Sequence, residues 1–344
     1  MRAVVSSSAC QQKRSLRLRG GFTLVELMVV VVIIAILIGL VLPAINGVRT
    51  SARIAEVRND ISNLEQAITQ FKVSYGTEPP SQITLYASPA AWDAKSKGLI
   101  KQMWSKFDFA TCGGASNGTV FYPTGTGATT LNLNGAECLV FFLGGMVDPT
   151  GGGFAGFAKD PTRPFAYSTG SGLAGYPPTA TYNYITSRDG PYFAFKGAKS
   201  GAAFVDRLVD QDGDSMPEYL DPWPGQTRPY AYFNGTTSYQ TAAMAPMNVP
   251  TDAPTPVPSW RNTDCMFLNG VTSSLQMPHA YYASFDPTSP TASRPHKSNG
   301  IQIISPGADG EYGIGRLYNP ANKNGVYRLD KDNITNFADG RLGY

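Results

Sequence analysis

The sequence predicts an α+β protein. A long N-terminal helix, membrane-spanning in its first half, packs on a small antiparallel β-sheet head with long loop insertions. Three observations carry this expectation. Residues 22–42 are apolar apart from Thr23 and Glu26. Apolar residues then recur at Ile54, Val57, Ile61, Leu64, Ile68 and Phe71, a 3-4-3-4-3 spacing that lines one helix face. The remainder is rich in Gly, Pro and aromatic residues, with only short runs of strand composition.

The apolar segment comes first. It is long enough to cross a bilayer, which takes about 20 apolar residues. From Leu27 to Leu42 no side chain is polar. The preceding residues carry Arg2, Lys13, Arg14, Arg17 and Arg19 and no acid, so they favour the cytoplasmic side. A cleaved secretory signal has a shorter apolar core followed by a small-x-small site, and neither is present. A plain one-pass anchor fits the length but leaves Glu26 unexplained. A carboxylate inside an apolar span costs about 2.5–3.5 kcal/mol and calls for a partner.

The helix is expected to continue to Tyr75, about 80 Å from Phe22 at ~1.5 Å per residue. Arg53, Glu56, Arg58, Asp60 and Glu65 lie off its apolar stripe. Gly76 and Pro79-Pro80 end it. The expected division is 1–21 as a leader, 22–76 as the transmembrane and stalk helix, and 77–344 as the head. Trp92–Phe109 suits a short helix. Short aromatic runs follow at 120–122 and 140–143. Residues 244–260 carry five prolines and read as an extended surface loop. Residues 281–285 and 301–304 have strand composition.

Composition narrows the function classes. The net charge of +3 loses five positive charges with residues 1–21, leaving −2, so no basic face argues for nucleic acid. Charged residues are only 15% of a chain with 36 Gly and 26 Pro, which points to a loop-rich exported protein. Beyond Cys10 the cysteines are Cys112, Cys138 and Cys265. They allow one disulfide, for which the short Cys112–Cys138 loop is the candidate, or three unpaired thiols. His279 and His296 lie in Pro-flanked, loop-like contexts and are expected at the surface. No nucleophile elbow, zinc-protease or phosphate-loop motif is present, so no enzymatic activity is expected. An anchored hydrolase using an Asp/Glu pair is the weaker alternative; nothing selects such a pair.

The stretch Arg19-Gly20-Gly21-Phe22-Thr23-Leu24-Val25-Glu26 resembles the processing site of type IV prepilins and type II secretion pseudopilins. The resemblance implies that a prepilin peptidase cuts after Gly21 and methylates the Phe22 amine. It implies that Glu26 pairs with the Phe22 amine of a neighbouring subunit, each otherwise a costly buried charge. It also assigns Pro43 to local helix unwinding during assembly. Asp221-Pro222-Trp223 with Arg228-Pro229-Tyr230, the run Ile303–Gly310, and Asp330–Phe337 resemble segments of the major pseudopilin. The implied protein is a single-pass inner-membrane subunit with a cytoplasmic N-terminus and a periplasmic head. Its implied partners are the peptidase, an inner-membrane assembly platform and other subunits in a homo- or hetero-polymeric filament. The implied role is export through a type II secretion pseudopilus. A type IV pilin or minor pilin acting in adhesion, motility or DNA uptake is the alternative. The head is longer than that of the compact family member.

No cofactor is required, and calcium is the one candidate ion. Asp210, Asp212, Asp214 and Glu218 place carboxylates at near-alternate positions around Gly213, as calcium loops do. The resemblance to the major pseudopilin offers a second set, Asp309, Asp330, Asp332 and Asn333. A solvated acidic turn is the alternative for each.

Overall fold

The computed structural model describes residues 22–111, 130–146, 153–166, 187–197, 199–200, 203–204, 206–213, 216–235, 241–243, 260–262, 278–323 and 326–343; side chains at 41–44, 46, 199–200, 203–204, 241–243, 260–261 and 316 lie outside the description. The architecture is α+β, with an N-terminal helix and small, mostly antiparallel sheets. The chain divides into two units, 1–51 and 52–344.

Helix α1 spans Leu24–Tyr75. Among the described residues, no helix is long and apolar enough to cross a membrane. In the second unit the expected stripe is the buried one. Val57, Ile61, Leu64, Ile68 and Phe71 are each at most 3% exposed. Phe71 packs edge-on against Phe142 and Tyr192, at 5.8 and 5.7 Å between centroids. Gly76 closes the helix in the left-handed region, at φ 78°, and donates to the Lys72 carbonyl at 2.8 Å. The exit is then fixed from the sheet. The Tyr232 hydroxyl and Asn234 Nδ2 both donate to the Pro79 carbonyl at 2.7 Å.

One side chain off the stripe departs from expectation. Asp60 is only 4% exposed, because Arg207 reaches over it at 2.7 Å. Spacing along one helix cannot reveal a cover contributed from so far along the chain.

Helix α2 covers Ala94–Met103, inside the expected Trp92–Phe109 segment. Asp93 caps it by accepting the Ser96 amide at 2.9 Å. Helix α3, Gly135–Gly144, takes up the aromatic run 140–143. Every residue of α3 is buried, so it shows no polar face. Its start is a capping box: Asn134 Oδ1 accepts the Ala136 and Glu137 amides, and Glu137 Oε2 accepts the Asn134 amide at 2.7 Å.

The expected strands at 281–285 and 301–304 form as Tyr281–Ser284 and Ile301–Ser305. Ile301–Ser305 is the centre of a three-stranded antiparallel sheet, between Ala231–Asn234 and Ile334–Thr335. All five of its residues are buried. Tyr281–Ser284 centres a second sheet, antiparallel to Arg294–Pro295 and parallel to Arg316–Leu317. The aromatic run 120–122 and the loop 244–259 lie outside the described residues.

Candidate functional site

The N-terminal motif opens α1. The Thr23 amide and hydroxyl both donate to Glu26 Oε2 at 2.8 Å, and the Glu26 amide donates to Thr23 Oγ1 at 3.2 Å. This reciprocal capping box satisfies donors that a helix start leaves open. Phe22 is 87% exposed, and Leu24, Val25 and Leu27 through Ile34 are exposed behind it. An exposed apolar surface of this length marks an interaction surface. Gly21 lies outside the described residues, and of Pro43 only the helical backbone is described.

The two patches singled out in the C-terminal half meet. Asp221 is 2% exposed. Its Oδ2 accepts the Ser305 hydroxyl at 2.5 Å, and its Oδ1 accepts the Trp223 amide and Gln226 Nε2, both at 3.1 Å. Gln226 Nε2 also reaches the Gly307 carbonyl at 3.3 Å. Burial outweighs these donors and pushes the Asp221 carboxyl up to about 6. The turn beyond Ser305 is held from the acidic tail: Asp332 Oδ2 accepts the Ala308 and Asp309 amides at 2.6 and 2.9 Å. Gly307, at φ 73°, is required here, because a Cβ would meet the Asp332 carbonyl oxygen at 2.5 Å.

The second candidate metal set divides. Asp309 and Asp332 are neighbours; burial first, then the Asp332 and Glu311 charges, push Asp309 up to about 6. Asp330 instead turns into the core, accepting the Tyr281 hydroxyl at 2.7 Å and the Gly315 amide at 2.9 Å. Asn333 Nδ2 donates to the same hydroxyl at 2.7 Å and to the Tyr312 carbonyl at 2.9 Å.

Two members of the first set come together, with an addition. Carboxylate oxygens of Asp212, Glu218 and Glu137 all lie within 4.8 Å of one another. Glu137 and Glu218 are fully buried, on α3 and on strand Glu218–Tyr219. Asp210 Oδ1 accepts the Gly213 amide at 2.8 Å, and Asp214 lies outside the described residues. Ionised carboxylates drawn together, two of them fully buried and Asp212 half-buried, repel one another, and a divalent cation offsets that repulsion. An all-oxygen donor set suits a hard ion such as calcium. The loop spacing could not supply Glu137, which enters from another element. The Asn-x-x-Glu spacing of its capping box is a signal for a helix start alone.

Cys138 is buried in α3, its Sγ 3.8 Å from the Leu133 carbonyl; Cys112 lies outside the described residues. His279 is 7% exposed, a correction to the expected surface position; a Cβ at Gly315 would press on it at 2.6 Å. His296 stacks on Phe337 with ring centroids 4.9 Å apart.

The family model of the prokaryotic N-terminal methylation motif matches residues 16–42. The chain is 40% identical over 67 residues to type II secretion system core protein G of Klebsiella michiganensis, covering 20% of this chain and 47% of that protein. It is 33% identical over 94 residues to core protein G of Aeromonas hydrophila, covering 25% and 66%. It is 35% identical over 80 residues to type IV major pilin protein PilE1 of Neisseria gonorrhoeae, covering 23% and 37%. The chain thus spans from 37% to 66% of the length of these relatives. No solved structure matches it. With the methylation motif at the start of α1, and pilins and pseudopilins among the proteins it is similar to, the chain is a type IV pilin-like or pseudopilin-like protein.

Proposed function

We propose that this chain is a pseudopilin subunit of a type II secretion system. It is cut after Gly21 by a prepilin peptidase, methylated on Phe22 and assembled into a helical pseudopilus that supports protein export. Residues 22–42 cross the inner membrane before assembly, with the N-terminus cytoplasmic and the head periplasmic. The same apolar side chains then line the filament core, supplied through an inner-membrane assembly platform. The single observation behind this reading is the methylation motif over residues 16–42, with Glu26 one helical turn from Phe22. The Asp221–Ser305 junction favours the secretion branch, because it joins two segments that resemble the major pseudopilin. The match to PilE1 supports a surface pilin as the second reading. The mass and N-terminal sequence of the membrane-extracted chain test the processing. The expected product starts at N-methyl-Phe22, and Gly21→Leu stays full length. An unprocessed wild-type chain ends the proposal. Loss of export in a deletion strain, against loss of surface filaments, separates the two branches.

Calcium joins the proposal as the ion held by Glu137, Asp212 and Glu218. It would tie the 210–218 loop to α3 without needing apolar residues in the loop. At about 100 times Kd, calcium stabilises by about 2.7 kcal/mol. That corresponds to a Tm rise of about 5–10 °C for a head of this size. A chelator should reverse it, and Glu137→Gln, which keeps the capping box, should abolish it. Equal melting temperatures in calcium and in chelator would sink this assignment.

A further inference from the structure

We propose that the concave surface beside strand Arg294–Pro295 binds a small oxyanion, a phosphate or carboxylate group. A shallow, open depression of about 500 Å³ lies there. Its lining includes Arg294, His296, Lys297, Ser298 and Asn299 and no carboxylate. On a chain that carries −2 beyond residue 21, this is a local concentration of donors and positive charge.

The surface is built rather than incidental. His296 lies with its ring at 3° to the Phe337 ring, and its Nε2 is 2.9 Å from the Tyr318 carbonyl. A carbonyl only accepts, so Nε2 carries the proton. The His296 carbonyl in turn accepts Gln302 Nε2 at 2.8 Å. Lys297 has φ 48°, a left-handed conformation for a residue with a Cβ. Such conformations persist where the surroundings over-determine them, and they cluster at ligand clamps. Here Gly300 donates to the Lys297 carbonyl at 2.9 Å, and Gly235 donates to the Gly300 carbonyl at 2.8 Å. A Cβ on Gly235 would meet the Ser298 carbonyl oxygen at 2.5 Å. The turn is therefore pressed against the neighbouring strand and held in shape.

The cations differ in availability. Lys297 Nζ is 2.9 Å from Glu65 Oε1 on α1, and the same oxygen accepts Asn336 Nδ2 at 2.7 Å. Arg294 is exposed, and among the described residues no carboxylate pairs with it. A guanidinium presents a planar fork of donors that fits two oxygens of one oxyanion. Arg294 is thus the primary contact, and Lys297 joins by releasing Glu65.

The test uses the full-length chain in neutral detergent. Equilibrium dialysis with labelled inorganic phosphate, and separately with labelled acetate, should show saturable binding of one equivalent; the tighter of the two identifies the source of the oxyanion. Arg294→Gln should weaken it about tenfold, the loss of one charge-assisted hydrogen bond. Lys106→Gln, an exposed cation outside the depression, should leave it unchanged. Absence of saturable binding for both anions overturns the proposal. So does an Arg294→Gln chain that binds as tightly as the wild type.

Discussion

Glu26→Ala should leave the chain in the membrane and remove it from filaments. Two effects of the substitution run in opposite directions. Removing a carboxylate from an apolar span recovers about 2.5–3.5 kcal/mol of insertion cost, so insertion does not suffer. In a packed filament, however, the methylated amine of a neighbouring Phe22 would lose its counter-charge. Leaving one member of a buried ion pair alone costs about 3–5 kcal/mol. At about 1.4 kcal/mol per tenfold, incorporation should fall at least a hundredfold. The Thr23–Glu26 box adds a complication, because alanine also removes the two bonds that Glu26 Oε2 accepts from Thr23, while the Thr23 cap on the backbone amide of residue 26 remains. Glu26→Gln separates the two, since glutamine also completes a capping box but carries no charge. Both variants should be recovered in membranes and be missing from sheared filaments. If the glutamine chain incorporates as well as the wild type, the charge pairing is not what sets subunit register.

The elements legible in the sequence were those whose signal is local. The 54–71 stripe needs only helical spacing, and Gly76 needs only its freedom at positive φ. The runs at 281 and 301 alternate or cluster as strands do. What stayed hidden depends on partners far along the chain. Asp60 looked like a solvent-facing residue because its cover, Arg207, is contributed from another part of the head. Helix α3 is buried on every side, so its composition carries no 3.6-residue period to read. The acidic site shows both limits at once. Asp212 and Glu218 were visible from their spacing around a Gly, whereas Glu137 became a neighbour only when α3 packed against that loop. In the second set, a sequence resemblance could not show that Asp330 and Asn333 are occupied with Tyr281. The resemblance singled out the 221 and 303 segments, but only the structure shows that they touch, through Asp221 and Ser305.

Arg207→Ala should be among the most destabilising single changes in the head. The Arg207 side chain is 15% exposed and that of Asp60 6%, with Nη1 and Oδ2 2.7 Å apart. The guanidinium also lies over the Tyr219 ring, 4.3 Å from its centroid, and Nε donates to the Leu220 carbonyl at 2.8 Å. Truncation removes all three contacts and leaves a carboxylate in a place water does not reach. That loss is expected to cost about 3–5 kcal/mol, or about 6–20 °C in Tm for a domain of this size. Asp60→Ala should cost less, because Arg207 keeps Tyr219 and Leu220. The double change Asp60→Leu with Arg207→Met should recover most of the loss, since apolar groups of similar volume replace a buried pair at little net cost. Urea unfolding of the wild type, Asp60→Leu, Arg207→Met and the double change closes a double-mutant cycle. A coupling near zero, with Arg207→Ala costing under about 1 kcal/mol, would show that the pair is solvated in solution. A large coupling would mean that this buried ion pair, and not only the apolar stripe, fixes the C-terminal half of α1 to the head.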